Sequence, residues 1–394
     1  MSSMGLSDFQ LPFIGEWTVT QAHNGEYTHK DDWRHALDFA IVDDQDKQYK
    51  NQGNHVNDYY CYNKTILCPA DGVIVNILDG VPDNEIGEVN LDQNWGNSLV
   101  IHHQNGLYSQ LSHFREASFK VEKGDIVKKG DILGTCGNSG RSPIPHIHFQ
   151  FQTTPYIGSA TLEIALPHYI ERMEEQVLLK SYSQPLKSAK LLRGEPHPLL
   201  RQTLDFQLGQ KFSFEVTSGD NFRMIYSQKN WHFEVKSDTL TNTYLYCNHT
   251  NSRAYFSVEA NVLQFHNYLG SRRSLLYCLY LSCYKVYLGF YPKLNIKAVV
   301  PPNLVYGAGK LFIQDFIAPF YIYLQSEYQL DYLNKMDGIT SEKIELVSKL
   351  ICGHPDMKEH LLSEIIVESG ASLRIKIHRK GKTLEMRCGN MQAY

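Results

Sequence analysis

The sequence has no long apolar run, no cysteine pair at metal-ligand spacing and no excess of positive charge. Its longest hydrophobic stretches, such as "LFIQDFIAPFYIYL" (311–324), fall short of the ~20 residues that span a bilayer, so no transmembrane segment is expected. A net charge of −4 offers no footprint for nucleic acid. The eight cysteines (Cys61, Cys68, Cys136, Cys247, Cys278, Cys283, Cys352, Cys388) are scattered through 394 residues with no CxxC. That excludes a cysteine zinc site and a disulfide scaffold, and the thiols are expected to be buried and free. The opening "MSSMGLSDFQLPFIG" lacks the charged start and apolar run of a signal peptide. Two expectations stay open: a cytoplasmic protein, or a soluble piece of an exported one that works in the cell envelope. There is no internal repeat and no low-complexity tract.

What is present reads as β-structure. The length suits two or three domains, and 25 tyrosines fit sheet surfaces. Residues 65–155 are short apolar stretches broken by glycine turns, with no room for a helix. "NSLVIHH" and "GLYSQLSHF" flank Asn105–Gly106 as a hairpin. Residues 160–182, interrupted by Pro167, read as a connecting segment, and "LLRGEPHPLLRQ" (191–202) as a boundary region. The second half is again strand-like ("KFSFEV", "WHFEVKS", "TNTYLYC", "RAYFSVEANVLQFHNYL", "SLLYCLYLSCYKVYLGFY"). One helix is expected over "SEKIELVSKLICGHP" (341–355). Ser341 would cap it, and Ile344, Val347, Leu350 and Ile351 would form its face. "SLRIKIHRKGKTLEMRC" reads as a closing hairpin.

The chemistry concentrates in "RSPIPHIHFQF" (141–151). His146 and His148 stand two apart, so in a strand they share a face. Seventeen histidines make chance neighbours common, but other polar groups cluster near this pair in the text. His113 ends a predicted strand, and "YTHKDDWRHALDFA" supplies His29, His35 and Asp38. Histidine and carboxylate are a suitable donor set for zinc, which in catalytic sites takes three protein ligands and keeps one position open.

The motifs "CPADGVIV", "GNSLVIHHQNGLYSQLSHF" and "VEKGDIVKKGDILGTCGNSGRSPIPHIHF" follow one another in order. Over about residues 11–155 the chain resembles the lysostaphin-type (LytM-like) zinc metallopeptidases, peptidoglycan endopeptidases. The resemblance implies a mostly β architecture. A LytM-like two-layer antiparallel β domain over 1–185 would precede a mainly β accessory domain with at least one helix over 186–394. It implies Zn2+ held by an upstream histidine, Asp38 and His148, with His113 and His146 as acid–base groups. It also implies a zinc metalloendopeptidase acting on peptidoglycan stem or cross-bridge peptides. A cell-envelope protein is the partner to look for at the C-terminal domain.

The chain departs from the family pattern at one point. The usual HxxxD places Arg34 where the first ligand belongs, and a guanidinium cannot ligate zinc. His29 is the expected ligand, with His35 the alternative on the wrong strand parity. Two rival readings remain: an inactive LytM-like scaffold that regulates envelope hydrolases, and a lipoyl- or biotinyl-type carrier, which does not account for HxH. The polar stretch 41–66 reads either as a groove wall bearing Tyr59 and Tyr60 or as a plain surface loop. His102, His103, Cys136 and the glycines at 72, 96, 106, 130 and 137 read as structural. Asn97 reads either as a groove residue or as a strand cap.

Overall fold

Alternation along Ile147–Gln152 organises the first half of the molecule. Ile147, Phe149 and Phe151 join the hydrophobic core, which leaves His148, Gln150 and Gln152 for the opposite face. The computed structural model describes residues 9–218, 228–319, 321–322, 324–333, 342–353 and 357–391. The chain divides into two units, Met1–Glu175 with Lys180–Gly194, and Gln176–Leu179 with Glu195–Tyr394.

The first unit carries β1 (Glu16–Gln21), β2 (Leu37–Ala40), β3 (Thr65–Leu67), β4 (Gly72–Leu78), β5 (Asn97–His102) and β6 (Tyr108–Phe114). It continues with β7 (Ile126–Val127), β8 (Ile132–Thr135), β9 (Ile147–Gln152), β10 (Leu166–Arg172), β11 (Val177–Ser183, which begins in the second unit) and β12 (Lys190–Leu192). Antiparallel pairing runs β10–β12–β1–β2–β9–β6–β5–β4–β7. β3 and β8 form a separate pair. Phe13, Ile66, Cys68, Leu133 and Cys136 from that second layer share one core with Val19, Phe39, Ile101 and Phe149 of the large sheet. This is the two-layer β arrangement expected of a LytM-like domain.

Residues 160–182 are not a plain connection, since they hold β10 and β11. Pro167 misleads at the sequence level. It sits inside β10 but outside the register Ile170–Arg172 that β10 shares with β12.

The second unit is also mainly β. After α1 (Pro198–Leu204) come β13 (Lys211–Ser218), β14 (Asn230–Ser237), β15 (Thr243–Cys247), β16 (Ser252–Glu259) and β17 (Val262–Leu269). Then follow α2 (Leu275–Ser282), β18 (Lys285–Tyr287), β19 (Leu294–Val299), α3 (Pro302–Val305), α4 (Ala308–Ile317) and β20 (Ser326–Tyr332). β21 (Lys343–Cys352), β22 (Lys358–Glu368), β23 (Ser372–Arg379) and β24 (Lys382–Cys388) complete it. β13 to β18 pair successively, as do β19 to β24, and β24 pairs with β13.

Two expectations fail here. The helix over 341–355 is instead β21: Ile344, Leu346, Ser348 and Leu350 are buried in strict alternation. The apolar residues fit both periods, and pairing with β20 and β22 decides for the strand. Ser341 and Pro355 lie outside the described residues. Conversely, "SLLYCLYLS", read as strand, is α2. All eight helical residues are buried, so no amphipathic period shows in the sequence. Its signal was the cap, since the Ser274 hydroxyl accepts from the Leu276 N–H.

Candidate metal centre

One row of polar residues crosses the large sheet at right angles to its strands. Gln21 of β1 sits opposite Asp38 of β2, Asp38 opposite His148 of β9, and His148 opposite Ser112 of β6. Ser112 Oγ lies 2.8 Å from Ser98 Oγ of β5. Partners in a ladder share a face, so register alone brings an acid and an imidazole 110 positions apart into contact.

Asp38 Oδ1 is the focus. His148 Nδ1 lies 2.9 Å from it, His29 Nε2 3.2 Å and His146 Nε2 3.9 Å. Ligand atoms of His29, Asp38 and His148 all fall within 4.8 Å of one another. His29 arrives from the loop after β1 and is buried, with 1% exposure. The other carboxylate oxygen is occupied, because the Gln21 amide donates to Oδ2 at 2.8 Å. Gln21 is itself fixed, its Oε1 accepting from the N–H groups of Tyr27 and Thr28.

The second nitrogen of each ring is also committed. His29 Nδ1 lies 3.0 Å from the Ala22 carbonyl. His148 Nε2 lies 2.9 Å from Gln150 Oε1, and the Gln150 amide nitrogen donates to Gln152 Oε1 and the Ser159 carbonyl. A neutral imidazole has one N–H. Spent on these acceptors, it leaves lone pairs on His29 Nε2 and His148 Nδ1 facing a carboxylate oxygen. Lone pairs so arranged repel, and a cation among them removes the conflict. His29 Nε2 is indeed buried without a hydrogen bond. Two imidazole nitrogens and one carboxylate oxygen, held from behind by the Ala22 carbonyl, Gln150 and Gln21, are a fit donor set for zinc. The charges agree. Burial pushes the Asp38 carboxyl up, but the His29 and His146 rings and the close approach of His148 outweigh it, so its pKa lies well below the usual range. Burial pulls the His29 ring down, and Asp38 more than reverses this, so its pKa is raised.

His113 and His146 stand beside this group, with ring centroids 4.7 Å apart. His113 Nδ1 lies 2.8 Å from the Ser139 carbonyl, and His146 Nδ1 2.9 Å from the Ile144 carbonyl. Burial lowers the pKa of both, and neighbouring imidazoles add to it, although Asp38 pulls the other way. Both are therefore held neutral, with Nδ1–H donated to a carbonyl and Nε2 left as the basic atom. His113 has φ 69°, an uncommon left-handed backbone for a non-glycine residue.

A cleft of about 680 Å³ opens over the group. Trp95 walls it, its ring 5.4 Å from that of His148, and Trp33 meets Trp95 edge-on at 5.7 Å. Gly158, at φ +81°, lets Trp95 approach, because a Cβ there would lie 2.2 Å from the indole nitrogen.

The structure thus brings together His29, Asp38, His113, His146 and His148. It leaves His35 aside. That ring accepts from Arg34 Nε at 3.1 Å and packs against His23. Strand parity is not the reason, since a 3-10 turn at Asp31–Trp33 precedes β2 and the chain at 35 is not extended. From the 41–66 stretch, Gln48 lines the cleft and Tyr59 and Tyr60 do not. Tyr59 is buried and the Tyr60 hydroxyl donates to Asp43. Asn97 is wholly buried and binds the backbone of Val81 and Phe114. Sequence reading missed Gln21, Gln150, Trp33 and Trp95. Gln150 was within reach, since it follows His146 and His148 at the same two-residue step.

Residues 54–157 match the model of Peptidase family M23, a stretch that contains His113, His146 and His148, with His29 and Asp38 upstream. "Glycyl-glycine endopeptidase ALE-1" of Staphylococcus capitis is 32% identical over 108 residues, 27% of this chain and 26% of that protein. "DD-carboxypeptidase/endopeptidase Mpg" of Neisseria meningitidis serogroup B is 37% identical over 59 residues, 14% of this chain and 12% of that protein. The solved catalytic domain of lysostaphin from Staphylococcus simulans is 18% identical, covering 38% of this chain and 87% of that one, with a TM-score of 0.23. The chain thus spans about a quarter or less of these curated relatives. Within the first unit, the stretch 54–157 is thus similar to Peptidase family M23.

Proposed function

We propose that the chain is a zinc-dependent endopeptidase that cleaves peptides of peptidoglycan. One observation carries this reading: two imidazole nitrogens with committed partners behind them converge on a single buried carboxylate oxygen, next to two neutral histidines in a cleft. The peptidase names of ALE-1 and Mpg support it.

His29 through Nε2, Asp38 through Oδ1 and His148 through Nδ1 would hold the metal. Zinc supplies, when bound, a Lewis-acid charge for the peptide carbonyl and for water. Gln21, Gln150 and the Ala22 carbonyl keep the three ligand atoms oriented. His146 or His113 accepts a proton from the attacking water at Nε2 and returns it to the departing amine. While protonated, that ring donates an N–H toward the developing oxyanion. Trp95 and Trp33 exclude bulk water from one side, which strengthens each of these interactions.

The test is digestion of purified peptidoglycan by the full chain, with and without chelator, followed by mass analysis. New amino termini that appear only with metal present are expected. Wall material unaltered by the zinc-loaded chain would overturn the reading.

A further inference from the structure

The cleft carries charge that peptide-bond chemistry does not use. Arg141 lines it, next to Ser142, whose hydroxyl lies 3.1 Å from His146 Nδ1. The Arg141 N–H donates to the Asn94 carbonyl at 2.8 Å, tying this loop to the one that bears Trp95. Arg141 is exposed, and its guanidinium forms no ion pair among the described residues. Lys187 also lines the cleft, 3.2 Å from an exposed Glu26 carboxylate. Among the lining residues the one carboxylate is Asp38, already surrounded by imidazoles. A substrate therefore meets one guanidinium with no opposing acid, beside an ammonium already paired with Glu26.

We infer that Arg141 binds a carboxylate of the substrate, so that the preferred class is a peptide with a free carboxyl group near the scissile bond rather than a neutral one. This rests on the peptidase reading for where the peptide lies. A guanidinium presents a planar fork that matches a carboxylate with two parallel hydrogen bonds. A neutral peptide filling the cleft would strip water from that fork and give nothing back. The exposed rings of Trp33 and Tyr27 on the cleft wall offer apolar faces to the peptide backbone.

Two probe sets decide it. Muropeptides released by a muramidase are used either with free carboxyl groups or after conversion to carboxamides with carbodiimide and ammonia. Binding to the chelator-treated full chain is measured by calorimetry, and cleavage by the zinc-loaded chain by mass analysis. The wild type is expected to favour the free acids about tenfold in both assays. Arg141→Gln should shrink the preference to within about twofold at unchanged zinc content, and Arg141→Lys should keep part of it. Equal handling of both sets by the wild type, or a full preference in Arg141→Gln, overturns the assignment. A zinc-loaded wild type that cleaves neither set yet binds the free acids preferentially sinks the peptidase reading and leaves Arg141 its role.

Discussion

Each histidine near Asp38 has a different neighbour behind it, and those neighbours separate the roles. His29 and His148 face the carboxylate oxygen with lone pairs, so removing either should empty the centre. Zinc content by elemental analysis is expected to fall to background in His29→Ala and His148→Ala and to stay stoichiometric in His35→Ala. Metal retained in His29→Ala and lost in His35→Ala would reverse the ligand assignment. His113→Ala and His146→Ala are expected to keep zinc and to lose roughly 10²-fold or more in turnover, the size of a general acid–base contribution. Near-normal rates in either would remove that ring from proton transfer. The HxH spacing and the family motifs made His113, His146 and His148 legible in the sequence. His29 was also legible in the sequence, but through a family variant and the freedom of its loop, since no periodicity constrains direction there. Its place depends on a backbone contact to Ala22 that residue spacing does not encode.

At the level of elements, the β4–β5–β6 segment contains a pH-sensitive joint. His103, just after β5, is held between the Asp71 carbonyl at 2.9 Å and the Ser109 hydroxyl at 2.7 Å. A neutral ring satisfies both, donating at Nδ1 and accepting at Nε2. Burial lowers its pKa to about 4, below the ordinary ~6.5 of an unfolded chain. The folded state thus binds fewer protons. The stability His103 contributes is complete above pH ~6.5 and is lost as pH falls toward about 4, on the order of 3 kcal/mol at most. Denaturation midpoints measured at pH 7 and pH 4.5 should differ less in His103→Gln than in the wild type. An equal difference would move the pH sensitivity elsewhere. Elements were legible where one period dominated, as in β5, β6 and the closing hairpin. They were not where burial was complete on all sides, as in α2, or where an apolar set fitted two periods, as in β21. There the partner strands decide, and partners far along the chain leave no local trace.

At the scale of the whole molecule, each unit has its own buried apolar core. A metal held by the first unit stabilises that unit by mass action, about 2.7 kcal/mol at a hundredfold excess over Kd. Calorimetric scans with zinc and with chelator are expected to move one unfolding transition upward and leave another in place. A single transition that shifts as a whole would mean the two units unfold as one, and no shift would argue against a bound metal. No helix among the described residues is long and apolar enough to cross a membrane.

The row Gln21–Asp38–His148–Ser112 also sets a schedule for biosynthesis. Asp38 and His148 meet only when β2 pairs with β9, and the strand on the other side of β9 is β6. During translation the amino-terminal donors emerge more than a hundred residues before their partner. An incomplete nascent chain therefore has His29 and Asp38 but no third donor, and it cannot capture the cation firmly. If the cation confers hydrolytic power, that power is absent until β9 has been made and the sheet has closed.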